Sequence, residues 1–147
     1  MTDNPARIMA LDVGHKRIGV AVSDPLGITA QGVGVIERRN QTRDLEALGN
    51  LIRQYGASRL LLGMPRNMNG TLGEKALEVQ EFGRLLEQEL GLPVEYQDER
   101  LSTRAVEGTL IAANVRRDRR RQVVDKMAAV YILQGYLDRQ AGNNKLS

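Results

Sequence analysis

Two apolar runs, residues 7–14 and 17–24, are joined through Gly14-His15-Lys16, and this pair constrains the fold more than any other stretch. A connection so short permits only an antiparallel hairpin, because parallel strands need a crossover of a dozen or more residues. The first run, Arg7-Ile8-Met9-Ala10-Leu11-Asp12-Val13-Gly14, is apolar on both faces, which places it at the centre of a sheet rather than its edge. Asp12 interrupts that strand near its carboxyl end. A carboxylate set against a core is costly unless its charge is compensated, although an Asp beside a tight turn can also serve simply as a turn cap.

The rest of the chain alternates helix and strand. Residues 28–37 read as a glycine-weakened third strand beside the second, and residues 42–55 carry Leu45, Leu48, Leu51 and Ile52 at helical spacing before Gly56. A buried strand is expected at 59–63, then a loop at 64–73 rich in Pro, Asn and Gly, then a helix at 74–90 closed by Gly91 and Pro93. Residues 94–97 form a short strand, with Asp98-Glu99-Arg100 at its carboxyl end. Ser102 is a plausible N-cap for a helix to Ala113, and a last helix covers 123–140. This is an α/β pattern of one domain, residues 1–141, with a flexible tail at 142–147.

Composition removes several chemistries. With no cysteine and a single histidine, His15, the 147 residues cannot supply a thiolate site, a cysteine nucleophile or a multi-histidine zinc site. His15 reads as a polar turn residue, or as a phosphate contact or proton carrier. No signal segment or membrane-length apolar run is evident, so a cytoplasmic protein without a membrane partner is expected. The net charge of +3 is local in origin: residues 116–121 carry five Arg and one Asp, leaving 16 Lys and Arg against 17 Asp and Glu elsewhere. Arginines packed this densely favour a loop facing a polyanion, with a solvated charge run as the plain alternative.

Three acids fall where these elements converge: Asp12, Glu99 after the fifth strand, and Asp125 in the first turn of the last helix. Positions 125, 128, 129 and 132 share a helix face that is small and apolar apart from the acid, so the helix can approach the sheet closely. Taken singly, Asp125 could complement a helix amino terminus, and Glu99 could pair with Arg100 or Arg104. Taken together, they suit a hard divalent cation, Mg²⁺ or Mn²⁺, better than zinc.

Four segments carry a family resemblance: residues 11–24, beginning Leu11-Asp12-Val13-Gly14, Gly63-Met64-Pro65-Arg66-Asn67-Met68-Asn69-Gly70, Asp98-Glu99-Arg100-Leu101-Ser102-Thr103, and Val124-Asp125-Lys126-Met127-Ala128-Ala129. They resemble the signature segments of the YqgF family, also called RuvX, of the ribonuclease H-like fold and related to the resolvase RuvC. The resemblance implies a five-stranded mixed sheet with helices on both faces and a divalent-metal nuclease, associated with trimming the small-subunit ribosomal RNA precursor. Resolution of Holliday junctions or other branched DNA, or a nucleic-acid-binding module that cuts nothing, are the alternatives. Carried over by motif, Asp12, Glu99 and Asp125 would be both catalytic residues and metal ligands, with Asp12 bridging. Lys16, Arg17 and Arg100 would hold phosphate, Arg116, Arg117, Arg119, Arg120 and Arg121 would grip the backbone farther out, and Asp98 would orient Arg100 or a bound water. The partner is RNA, branched DNA or both, for a monomer or a homodimer.

Overall fold

The computed structural model describes residues 7–65, 73–98 and 117–146, with side chains described over 126–141 of the last segment. Its strands are β1 (Arg7–Val13), β2 (Arg17–Ser23), β3 (Ala30–Glu37), β4 (Ala57–Met64) and β5 (Val94–Asp98), and its described helices are α1 (Gln41–Tyr55), α2 (Glu74–Leu90) and α3 (Arg117–Leu146). The sheet order is β3-β2-β1-β4-β5, so the doubly apolar β1 is indeed central. β2 pairs with β1 and with β3 antiparallel, while β4 and β5 run parallel to β1. The carboxyl ends of β1, β4 and β5 therefore lie along one edge.

Alternate residues of β1 serve two cores, as the pleat requires. Met9, Leu11 and Val13 join Ile18, Val20, Leu60 and Leu62 against Leu48 of α1 and Val79, Phe82 and Leu86 of α2. Ala10, with Ala21 and Leu61, packs on the opposite face against Ala129, Ile132, Leu133 and Leu137 of α3. Alanines on strand and helix alike bring α3 down onto β1 and β2. The helix ends follow local chemistry: Asn40 caps α1 by accepting from the Arg43 amide at 2.9 Å, and left-handed Gly56 and Gly91 close α1 and α2.

α3 corrects the expectation for the arginine run. Arg117, Arg119, Arg120 and Arg121 are helical, not a loop, because α3 is a single 30-residue helix. Arginine is a strong helix former, and a helix nucleated by packing elsewhere adds one hydrogen bond for each further residue fixed, which here outweighs like-charge repulsion. The same continuity puts Asp125 about two turns inside the helix instead of in its first turn, and it makes the backbone helical through Leu146, where a tail was expected. Glu99, Arg100, Arg116 and the helix expected from Ser102 lie outside the described residues. Among the described residues, no helix is long and apolar enough to cross a membrane.

The β1–β2 turn depends on Gly14. Its amide donates to the Arg17 carbonyl at 2.8 Å, and a Cβ on Gly14 would stand 2.9 Å from that same backbone oxygen. Gly14→Ala must therefore displace main chain and is expected to cost about 1–3 kcal/mol. Gly32→Ala would meet only the flexible Lys126 stem, at 3.1 Å, and should be milder. Denaturant midpoints of the two variants check this, and equal losses would contradict it.

Candidate functional site

Asp12 is the penultimate residue of β1, half-buried, at the end of the sheet where the three parallel strands finish. Counting along the pleat, Ile8 and Ala10 face α3, so Asp12 faces it too. Its ladder partner on β2 is Gly19, and on its other side Gly63 follows Leu62, the partner of Leu11. Neither in-sheet neighbour brings a side chain. A carboxylate at the end of the central strand is a hard oxygen donor, the kind that Mg²⁺ or Mn²⁺ takes.

The approach of α3 follows from two contacts. Gln134 receives the Ala30 amide at 2.9 Å and donates to the Ile28 carbonyl at 3.0 Å, and Ala30 pairs with Ser23, whose hydroxyl accepts from the Ile8 amide at 2.9 Å. Farther toward its amino terminus, α3 lays the Lys126 stem over Gly32, which pairs with Ala21 and so lies level with Ala10. Thus α3 runs antiparallel to β1, and its earlier residues move toward the carboxyl end of that strand. The Lys126 stem thus lies at the level of Ala10, and the helix continues from there toward the carboxyl end of β1, ahead of the fully buried Ala128 and Ala129.

The basic residues divide. Arg17 belongs to the same sheet face as Gly19 and Ala21, and stands diagonally across from Asp12, a spacing of roughly 7–8 Å. Its side chain is 20% exposed and lies 3.9 Å from the Glu37 carboxylate. Lys16 is exposed at the turn. On β5, Glu95 accepts from Tyr136 of α3 at 2.9 Å and Gln97 lies beside Gly135, so these two face α3. Asp98, the exposed last residue of β5, falls by alternation on the other face. Among the described residues no three acidic or histidine side chains gather as a cation site, and this set excludes Glu99 and the side chain of Asp125.

A cavity of about 690 Å³ opens on the α1/α2 face, away from Asp12, with Gly14, His15, Arg38, Asn40, Lys75 and Phe82 among its lining. Arg38 was not singled out in the sequence, yet it sits at a junction of four elements. Its guanidinium donates to the Gly14 carbonyl at 2.8 Å and to Asp44 of α1 at 3.3 Å, and it lies 5.0 Å above the Phe82 ring of α2. Arg38 and Asp44 stand six residues apart across the β3–α1 connection, but the approach of that connection to the β1–β2 turn and to Phe82 is a long-range fact that spacing does not reveal.

Sheet order, strand directions, helices on both faces and an acid ending the central strand define a ribonuclease H-like protein. The structure superposes on Thermus thermophilus RuvC in complex with a Holliday junction substrate with a TM-score of 0.58, covering 94% of this chain and 97% of that one at 14% identity, a likeness of fold. The family model RuvX, described as Holliday junction resolvase, matches residues 6–139. A protein of Moorella thermoacetica with the provisional name pre-16S rRNA nuclease is 58% identical over 137 residues, 93% of this chain and 98% of its own. One of Heliobacterium modesticaldum, named likewise, is 55% identical over 135 residues, 92% of this chain and 91% of its own. The chain belongs to the RuvX family. Its class of activity is that of a nuclease, a hydrolase of phosphodiester bonds.

Proposed function

We propose that this protein is a divalent-metal-dependent nuclease that trims the precursor of small-subunit ribosomal RNA, with Asp12, Glu99 and Asp125 holding Mg²⁺ or Mn²⁺. The observation that carries the reading is Asp12 near the end of the central strand, beside Gly19 and on the sheet face against which α3 packs, with α3 antiparallel to β1 so that its earlier residues, Asp125 among them, lead toward that strand end. Asp98 belongs to the opposite face, which leaves its neighbour Glu99 as the acid we assign. The names of the relatives support the RNA substrate.

When bound, the cation would supply Lewis acidity and an activated water at neutral pH. The chain's own part is to hold and to orient. Arg17, across the ladder from Asp12, and Lys16 at the turn hold phosphate beside the acids, and Arg100 follows Glu99 closely enough to share that task. Fixed guanidinium and ammonium groups favour charge developing on the phosphate because they need no reorganisation at the moment of reaction. Arg117 and Arg121, on the helix face that carries Asp125, would grip backbone farther along the strand.

The test is product mapping. End-labelled precursor RNA spanning the ends of the small-subunit ribosomal RNA, single-stranded DNA and a four-way DNA junction are incubated with the protein and Mg²⁺ or Mn²⁺. Cation-dependent cleavage of the RNA at discrete sites is expected. Preferential symmetric cutting of the junction would replace RNA trimming with resolution, and binding without any cleavage would sink the nuclease reading.

A further inference from the structure

The Asp12 turn is held from behind. Gly14, two residues after Asp12, presents its carbonyl to the Arg38 guanidinium at 2.8 Å, and the Arg38 amide donates to the Lys16 carbonyl at 2.8 Å. One residue just past β3 thus fastens both ends of the three-residue turn between β1 and β2, which carry Asp12 and Arg17. Arg38 is itself fixed. Its guanidinium lies over Phe82 at 5.0 Å and pairs with Asp44, whose side chain is 4% exposed. Asp44 in turn accepts from the Arg39 amide at 2.9 Å, so α1 is locked to the same junction.

We propose that Arg38 is a positioning residue for the nuclease site: it sets the β1–β2 turn, and with it Asp12, Lys16 and Arg17, against α1 and α2. This rests on the nuclease reading above. Arg38 lies on the α1/α2 side and reaches substrate only through the turn. The geometry demands arginine, because a planar fork donates to a carbonyl and a carboxylate at once while its face rests on an aromatic ring, and a lysine ammonium does not reproduce all three. A side chain needed only for stability would not have to aim at the turn carbonyl, since Asp44 and Phe82 alone would satisfy it.

The experiment compares wild type with Arg38→Lys and Asp44→Asn. For each, we would measure thermal unfolding, RNA affinity without added cation, amide exchange at Gly14 by NMR, and kcat and KM on the cleaved RNA. Arg38→Lys is expected to fold and bind RNA within threefold of wild type, while Gly14 exchange quickens and kcat falls by about 10- to 100-fold, the range seen when groups that orient ligands are removed. Asp44→Asn, which still offers an acceptor to Arg39 and keeps Arg38 in place, should lose less. Unchanged Gly14 exchange and kcat would overturn the proposal, and so would a kcat loss that merely tracks the folded fraction. If the wild type cuts nothing, the nuclease reading falls, and the clamp on the turn is judged by Gly14 exchange.

Discussion

Asp12→Asn is expected to reduce RNA cleavage by a factor of about 10²–10⁴ while leaving the fold and RNA binding near those of the parent. The estimate treats the acids and their cation as a partly buried ion cluster, in which loss of one member costs about 3–5 kcal/mol; at about 1.4 kcal/mol per decade that is two to four decades of rate. Asparagine keeps the shape of the side chain, so packing beside Gly19 and α3 is undisturbed. The exchange is isosteric at a half-buried strand end, so in a chelator the variant should melt close to the wild-type temperature. That pairing separates function from folding: a dead enzyme that melts no lower indicts the site, whereas a dead enzyme that melts much lower indicts the fold. Activity within tenfold of wild type would remove Asp12 from the ligand set. Adding Mn²⁺ should raise the melting temperature of the wild type more than that of the variant, since a cation that binds the native wild-type site stabilises it in proportion to its occupancy.

The parts of this design that the sequence made legible are those governed by short-range rules. A three-residue link between two apolar runs could only be a hairpin, and β1, apolar on both faces, could only be central; both hold. The boundaries of α2 agree to the residue, because glycine and proline punctuate its end. The arginine run misled for a physical reason. Its charge density argued locally for a loop, while the packing of Ala128, Ala129, Ile132 and Leu133 stabilises a helix that extends well past the packed segment. The Arg38–Asp44–Phe82 junction was invisible for a different reason. Arg38 follows β3, Asp44 is in α1 and Phe82 in α2, and only the folded topology brings Phe82 and the β1–β2 turn to the first two. Of the acids, Asp12 could be placed from its strand alone, because alternation fixes which core each residue of β1 faces.

The helical state of the arginine run changes what its mutation should do. In a loop, Arg119, Arg120 and Arg121 would be expected to act together. On α3 the positions 117, 121, 125 and 128 recur at intervals of four, four and three, one continuous helix face, and 128 on that face is fully buried against the sheet. Positions 117 and 121 thus continue the stripe of Asp125 in the direction of the carboxyl end of β1, whereas 119 falls nearly opposite. Replacing Arg117 and Arg121 together with alanine is expected to flatten the dependence of log affinity on log salt by about 0.7 per contact on single-stranded RNA, so by roughly 1.4 for the pair. Arg119→Ala should change the slope by less than half of one contact. The stability cost of both variants should be small, because alanine is the better helix former. Affinity measured from low to moderate salt decides between the two arrangements. A larger slope change for Arg119→Ala than for the pair would mean that RNA approaches the outer side of α3, away from Asp125, and equal changes for all would reduce the run to a diffuse positive field with no face.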